Sequence, residues 1–372
     1  MIAALTGGIY VHFPYCIHRC FYCDFNLITP KVIPQQAYTE AILNELARRA
    51  ERLHEPAHSL YFGGGTPSLW ETAWFTQVIE AAAHSPGLRS EAEITLEVNP
   101  SDVTHERCEG WLKAGINRLS LGIQSFDTRT LEAADRRHTG EMSFAAVATA
   151  RAAGFENLSV DLMFGLPGQD EAGWRHELDH VIALDVPHIS VYGLTVEEAT
   201  PLHGLVRRGD VTLPDDSTTH RMFFLTHDLL EEHGFEHYEV SAYAKTGHRA
   251  VHNSGYWAWR PYLGLGAGAH GFDGRTRWEN IRRVKTYIEH ARSGLDPTAQ
   301  EEELDTDSRT FERLMVGLRR LKEGAPMDGD MRRFRSKADA LIERGWLEEV
   351  SGNVRVTREG LRWMNDVLSE FL

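Results

Sequence analysis

The sequence predicts an α/β protein, a largely parallel sheet wrapped by helices, with a smaller module after it. Three observations predict this. Short β-branched runs alternate with amphipathic stretches through residues 8–297. The residues of special chemistry fall just after the apolar runs. After Pro297 the pattern changes. Strand–helix–strand repetition at this spacing calls for right-handed crossovers and a parallel sheet. Six such units suit a partly open barrel or a doubly wound sheet, and in both the chemistry gathers at the C-terminal strand ends.

Taken in order, the predicted strands are Gly8–Phe13, 59–62, 93–98, Arg118–Gln124, 158–164 and 188–194. The helix over 35–53 is the clearest, with Tyr38, Ile42, Leu46, Ala50 and Leu53 on one stripe. Further helices are predicted over 71–83, His105–Ala114, 143–153, 173–184 and 218–233. The acidic run 301–307 reads as a linker to a helix over 308–323. LIERGWLEEVSGNVRVTREGLRWM then reads as helix, strand, turn, strand and helix, which resembles a winged helix. The expected domains are 1–297 and 301–372. The second carries 13 Lys and Arg against 16 Asp and Glu, a balance that argues against DNA and for a cover over the barrel mouth.

Of the 372 residues 42% are hydrophobic and 25% charged, as in a soluble globular protein. The net charge of −15 makes nucleic acid a poor partner. No apolar run approaches the roughly 20 residues that span a bilayer. No Lys or Arg precedes Arg19, so a secretory signal is not expected, and the expected location is cytoplasmic, with at most peripheral membrane contact.

Three of the four cysteines, Cys16, Cys20 and Cys23, fall within eight residues. In a reducing compartment that spacing reads as metal ligation. Soft thiolates at three corners suit an iron–sulfur cubane and leave one iron without a protein ligand. Zinc, completed by His12 or His18, is the alternative. Cys108 reads as a half-buried structural thiol. The run YFGGGTPS at 61–68 lets backbone approach a ligand. Glu97, Gln124 and Asp161 are polar groups near strand ends, costly to bury unless paired. His252-Asn-Ser-Gly-Tyr256-Trp257 sets a histidine among aromatic residues, a pattern that serves a packed core as well as a heme ligand.

The loop CxxxCxxC with Tyr22 before its last cysteine, within GIYVHFPYCIHRCFYCDF, resembles the radical S-adenosylmethionine (SAM) proteins. Over nearly the whole chain the sequence is similar to the oxygen-independent coproporphyrinogen III oxidase group, and HNxxYW resembles its heme chaperone branch. The resemblance implies a partial (β/α)6 radical SAM barrel with a winged-helix-like α+β domain. It implies a 4Fe–4S cluster on Cys16, Cys20 and Cys23. It implies SAM contacts from Tyr10, Tyr22, Gly64, Gly65, Thr66, Glu97, Gln124, Arg136 and Asp161, with Arg136 preferred over its neighbour Arg137. It implies heme contacts from His252, Asn253, Tyr256 and Trp257, with His252 the iron ligand and His270 the alternative. Two departures from the oxidases stand out: Phe25 replaces their further cysteine, and the first strand starts too early for their N-terminal arm. The expected function is heme delivery to apo-hemoproteins, respiratory membrane enzymes among them, by a monomer or homodimer within porphyrin metabolism. Oxidative decarboxylation of coproporphyrinogen III is the alternative, and methyl transfer to a tetrapyrrole a third.

Overall fold

The computed structural model describes residues 6–372; the first five residues of the N-terminal reading lie outside it. Six parallel strands form the middle of the sheet: β1 (Gly8–Phe13), β2 (Ala57–Gly64), β3 (Leu88–Val98), β4 (Arg118–Gln124), β5 (Asn157–Phe164) and β6 (His188–Gly193). Beyond β6 the antiparallel pair β7 (Glu236–Glu239) and β8 (Ala242–Ala244) closes one flank. On the other flank β9 (Tyr262–Leu265) runs parallel to β1, followed antiparallel by β10 (His270–Phe272), β11 (Thr276–Asn280) and β12 (Thr298–Glu303). The twelve strands stand in the order β12-β11-β10-β9-β1-β2-β3-β4-β5-β6-β8-β7, an open sheet with two edges.

Parallel strands buried on both faces usually read as continuous apolar runs. Here they alternate. Ile9, Val11 and Phe13 on β1, Leu60 and Phe62 on β2, and Leu119, Leu121 and Ile123 on β4 are buried in one apolar core. Each such side chain contributes about 1.5–3 kcal/mol on burial. The intervening residues are polar: Tyr10 and His12, Ser59 and Tyr61, Glu93 and Glu97, Arg118 and Ser120, Ser159 and Asp161, Ser190 and Tyr192. One face of the sheet therefore packs on helices and the other is a polar interior.

The packing helices are α1 (Gln35–Arg49), α2 (Thr72–Ala82), α3 (His105–Ala114), α4 (Thr128–Ala133), α5 (Gly140–Ala152), α6 (Glu171–Ala183), α7 (Pro201–Arg208) and α8 (Asp216–Glu232). The stripe read on α1 is buried, and a short 3-10 turn continues it to Arg52. Cys108 on α3 is fully buried rather than half-buried, because its face of the helix meets the core. Two further helices were not expected from the sequence. Helix α9 (Val251–Trp257) packs on β2, and α10 (Val284–Arg292) packs on α1.

The acidic linker requires correction. Glu301–Glu303 are the end of β12, and they pair with cations: Arg52 with Glu301 at 2.7 Å, Arg277 with Glu302 at 2.7 Å, and Arg275 with Glu303. The chain then forms α11 (Thr306–Gly317), α12 (Arg335–Glu343), α13 (Arg358–Leu361) and α14 (Met364–Ser369) around a three-stranded sheet of β13 (Ala325–Pro326), β14 (Leu347–Val350) and β15 (Asn353–Val356). Leu314, Phe334, Leu341, Val354 and Phe371 fill a second apolar core there. This module docks on α9 and on β7, where the Leu321 N–H donates to the Tyr238 carbonyl at 3.0 Å.

Candidate functional site

The loop after β1 closes on itself. The Cys16 N–H donates to the Ile28 carbonyl at 3.0 Å, and the Ile28 N–H to Pro14 at 2.8 Å. Within the loop the Cys23 N–H reaches the Cys20 carbonyl at 3.1 Å, and Arg19 Nη2 donates to the Cys23 carbonyl at 3.0 Å. The glycine run after β2 clasps this loop: Gly65 N–H to Phe13 at 2.8 Å and Thr66 N–H to Tyr15 at 2.8 Å. A Cβ on Gly65 would lie 2.7 Å from the Tyr15 carbonyl oxygen and 2.9 Å from that of Phe13, so only glycine fits.

Cys16, Cys20 and Cys23 are free thiols and line one cavity of about 500 Å³. The size is that of a pocket for a whole small molecule. The Thr66 hydroxyl donates to Cys16 Sγ at 3.1 Å. Burial pushes the Cys16 thiol up to about 11, and the neighbouring Cys23 and Cys20 add to it. A positive metal centre is what holds such thiols as thiolates. Among the described residues no three His, Cys, Asp or Glu side chains converge on the volume of a single ion. His12 and His18 are engaged elsewhere, with the Asn26 carbonyl at 2.9 Å and with Asp135 at 2.8 Å. The donor set, three soft thiols spread over one wall, fits a cubane better than one zinc ion.

The cavity wall carries eight of the nine residues expected to contact SAM: Tyr22, Gly64, Gly65, Thr66, Glu97, Gln124, Arg136 and Asp161. Tyr10 is the exception. Its ring stacks on Tyr61, its hydroxyl is 3.0 Å from His12 Nδ1, and it does not line the cavity. Arg136 and Arg137 both border the cavity but turn to different partners. Arg136 donates inward to Asn99 at 3.0 Å and to the Gly122 carbonyl at 2.8 Å, while Arg137 reaches His18 at 3.2 Å. Three wall atoms are buried without hydrogen-bond partners, Arg118 Nε, Gln124 Oε1 and Arg136 Nε. Gln124 also holds a left-handed backbone, φ 66°, just past a register shift in β4. Strain and unpaired polar atoms together mark a place shaped for a ligand.

The carboxylates are held ready for a cation. Glu97 accepts from the Tyr61 hydroxyl at 2.8 Å and from the Gly64 N–H at 3.0 Å. Burial pushes its carboxyl up to about 7, and the nearby Asp161 opposes its charge further. Asp161 accepts from the Ser120 hydroxyl at 2.8 Å and is also raised, first by burial. Arg118, Ser120, Ser190 and Tyr192 line the same cavity and were not singled out from the sequence. Their signal was there: polar residues at every second position of otherwise apolar strands.

The HNxxYW segment forms α9, and its residues diverge. His252 is 3% exposed and stacks on Tyr61 with ring centroids 4.9 Å apart. Its Nδ1 lies 2.8 Å from the Ser59 hydroxyl and its Nε2 2.8 Å from the Tyr256 hydroxyl, so both ring nitrogens are engaged. Glu93 accepts from the Val251 and His252 N–H groups at 2.9 and 3.0 Å and lies 3.8 Å from Arg118. Asn253 lines the thiol cavity. Trp257 lines a different one, beside the C-terminal module. His270 stands on β10, largely exposed.

A polar face of an open α/β sheet with three thiols on the loop after its first strand defines a radical SAM protein, and the Radical SAM superfamily model matches residues 10–181. Among curated proteins the chain is 34% identical to the heme chaperone HemW of Bacillus subtilis, with 98% of each chain covered. It is also 34% identical to HemW of Mycobacterium tuberculosis, covering 95% of this chain and 91% of that one. The chain belongs to the HemW family. Among solved structures it resembles the Escherichia coli coproporphyrinogen III oxidase HemN, a radical SAM enzyme. The TM-score is 0.81 over 99% of this chain and 90% of that one; at 20% identity the likeness speaks for the fold. Among the described residues no helix is long and apolar enough to cross a membrane.

Proposed function

We propose that this protein is a cytoplasmic heme chaperone that binds a 4Fe–4S cluster, SAM and heme, and delivers heme to apo-hemoproteins. The observation that carries it is the thiol cavity: three free cysteines in one lining with the unpartnered Gln124 Oε1 and Arg136 Nε, in a chain alike end to end with proteins named heme chaperones. Cys16, Cys20 and Cys23 would hold the cluster, which supplies an open iron to chelate the SAM amino acid moiety and one electron for its reductive cleavage. The remaining residues bind and orient. Gly64, Gly65 and Thr66 present backbone at close range. Glu97 and Asp161 face the cationic parts of SAM. Arg136 offers a buried guanidinium to its carboxylate.

The heme partners are proposed to be apo-hemoproteins, respiratory enzymes among them. His252 as the iron ligand requires Tyr256 or Ser59 to release a ring nitrogen, so the geometry supports a packing role for it first. Decarboxylation of coproporphyrinogen III is the competing function, and Phe25 stands against it: the side chain at that position is an exposed ring on the cavity rim, not a thiol.

One experiment separates the two. The cluster is reconstituted anaerobically, and two assays are run. The chaperone is expected to pass bound heme to an apo-hemoprotein and to leave coproporphyrinogen III unconverted in the presence of SAM and reductant. Multi-turnover formation of protoporphyrinogen would make it an oxidase.

A further inference from the structure

A second cavity, of about 240 Å³, lies between α9, the β7–β8 edge and the C-terminal module. It is lined by Arg249, Arg260, Arg313 and Arg320 against only two acidic residues, Glu239 and Glu323. That local excess of positive charge stands out in a chain of net charge −15. The charge is partly neutralised: Arg249 pairs with Glu236 at 2.7 Å and with Glu323 at 2.5 Å, Glu323 stands 3.7 Å from Arg320, and Arg313 lies 3.8 Å from Asp328. Glu239 is buried and its carboxyl is pushed up to about 7. Arg260 forms no ion pair among the described residues. Burial first lowers the Arg320 guanidinium, Glu323 opposes this, and the like charges of Arg249 and Arg260 add to it.

One further observation points to a ligand. The Trp257 indole N–H is buried and lies near Glu239 without a well-aligned hydrogen bond. Trp259, on the same wall, takes the left-handed backbone, φ 56°, that ends α9, with the Arg260 N–H returning to the Gly255 carbonyl at 3.0 Å. Cations in a fork geometry beside a spare N–H suit a carboxylate. The volume is below the roughly 300–1,000 Å³ of pockets that enclose whole ligands. It holds an acidic side arm and leaves the body outside.

We propose that this cavity is a carboxylate site, formed by Arg260, Arg320 and the Trp257 N–H, and that a heme propionate is the group it takes. The propionate assignment rests on the heme function proposed above; the carboxylate chemistry does not.

The test uses the full chain with its cluster reconstituted, and the variants Arg260→Ala and Arg320→Gln, checked for an unchanged urea midpoint. Heme and its dimethyl ester, which lacks free carboxylates, are titrated by absorbance. Phthalate, a small aromatic dicarboxylate, is titrated by calorimetry. Heme is expected to bind the wild type about tenfold or more tighter than the ester, and the variants to lose that preference. Arg-dependent phthalate binding with no discrimination against the ester assigns the cavity to a free carboxylate and overturns the propionate assignment. Absence of both overturns the carboxylate site. A protein that binds phthalate through these arginines but no heme at all contradicts the chaperone function while leaving the cavity's chemistry standing.

Discussion

Glu97 sits where its own charge is resisted, and this has a measurable sign. Its carboxyl is raised from 4.5 to about 7 by burial. The folded state therefore holds a proton that the unfolded chain gives up, and stability falls as pH rises from about 4.5 to about 7. The cost above that window is about 3 kcal/mol. Glu97→Gln is expected to match the wild type at pH 5 and to exceed it in ligand-free stability at pH 8, read by thermal unfolding, while binding SAM at least tenfold more weakly. Equal stability differences at both pH values would contradict this. Gly65→Ala is a second test at the same scale. The added methyl meets two carbonyl oxygens. The variant is expected to retain its far-ultraviolet circular dichroism but to lose most of its bound iron after reconstitution, by iron and sulfide assay. The cysteines themselves were legible because their chemistry is local in sequence. The fate of His252 was not. Whether a histidine on a short helix faces a ligand or a core depends on the helix's rotation, which Ser59 and Glu93 decide from strands far along the chain.

Among the elements, α9 depends on one side chain. Glu93 accepts its first two N–H groups and stands beside Arg118, itself 2% exposed. Removing it strands a buried guanidinium and two backbone donors. Glu93→Ala is expected to cost about 3–5 kcal/mol, measured as a lowered urea midpoint. Glu93→Gln should fall between, since it keeps an acceptor and loses the charge. His252→Ala removes partners from two hydroxyls, each worth about 1–3 kcal/mol when stranded, so loss of heme by that variant counts as ligation only if its unfolding is unchanged. The parallel strands were legible because their apolar residues recur with β-branched density: β1 and β4 lie where their sequences place them, and the others shift by a residue or more at one or both ends. Strands β7 to β12 were not. They are three to six residues long, and several carry charges, as Arg277 and Glu301–Glu303 do. Such residues extend only because oppositely charged neighbours lie across the ladder, information that no local window contains.

At the scale of the molecule, the sheet is open and its β12 edge is guarded by charge. Glu301, Glu302 and Glu303 are all exposed along that edge. Such charges discourage pairing with another sheet. Replacing all three with threonine is expected to yield larger assemblies than the wild type by light scattering, since the edge would then offer a neutral β-forming strand. An unchanged assembly state would show that the edge is protected by something else. The opposite flank is tied into the C-terminal module, and there α9 makes its second contact. Asn253 borders the thiol cavity and Trp257 the arginine cavity, one helical turn apart. Four residues of helix span only about 6 Å. The two cavities therefore share one short rod, held at its head by Glu93. Any factor by which a ligand in one cavity changed affinity in the other would be returned in equal measure.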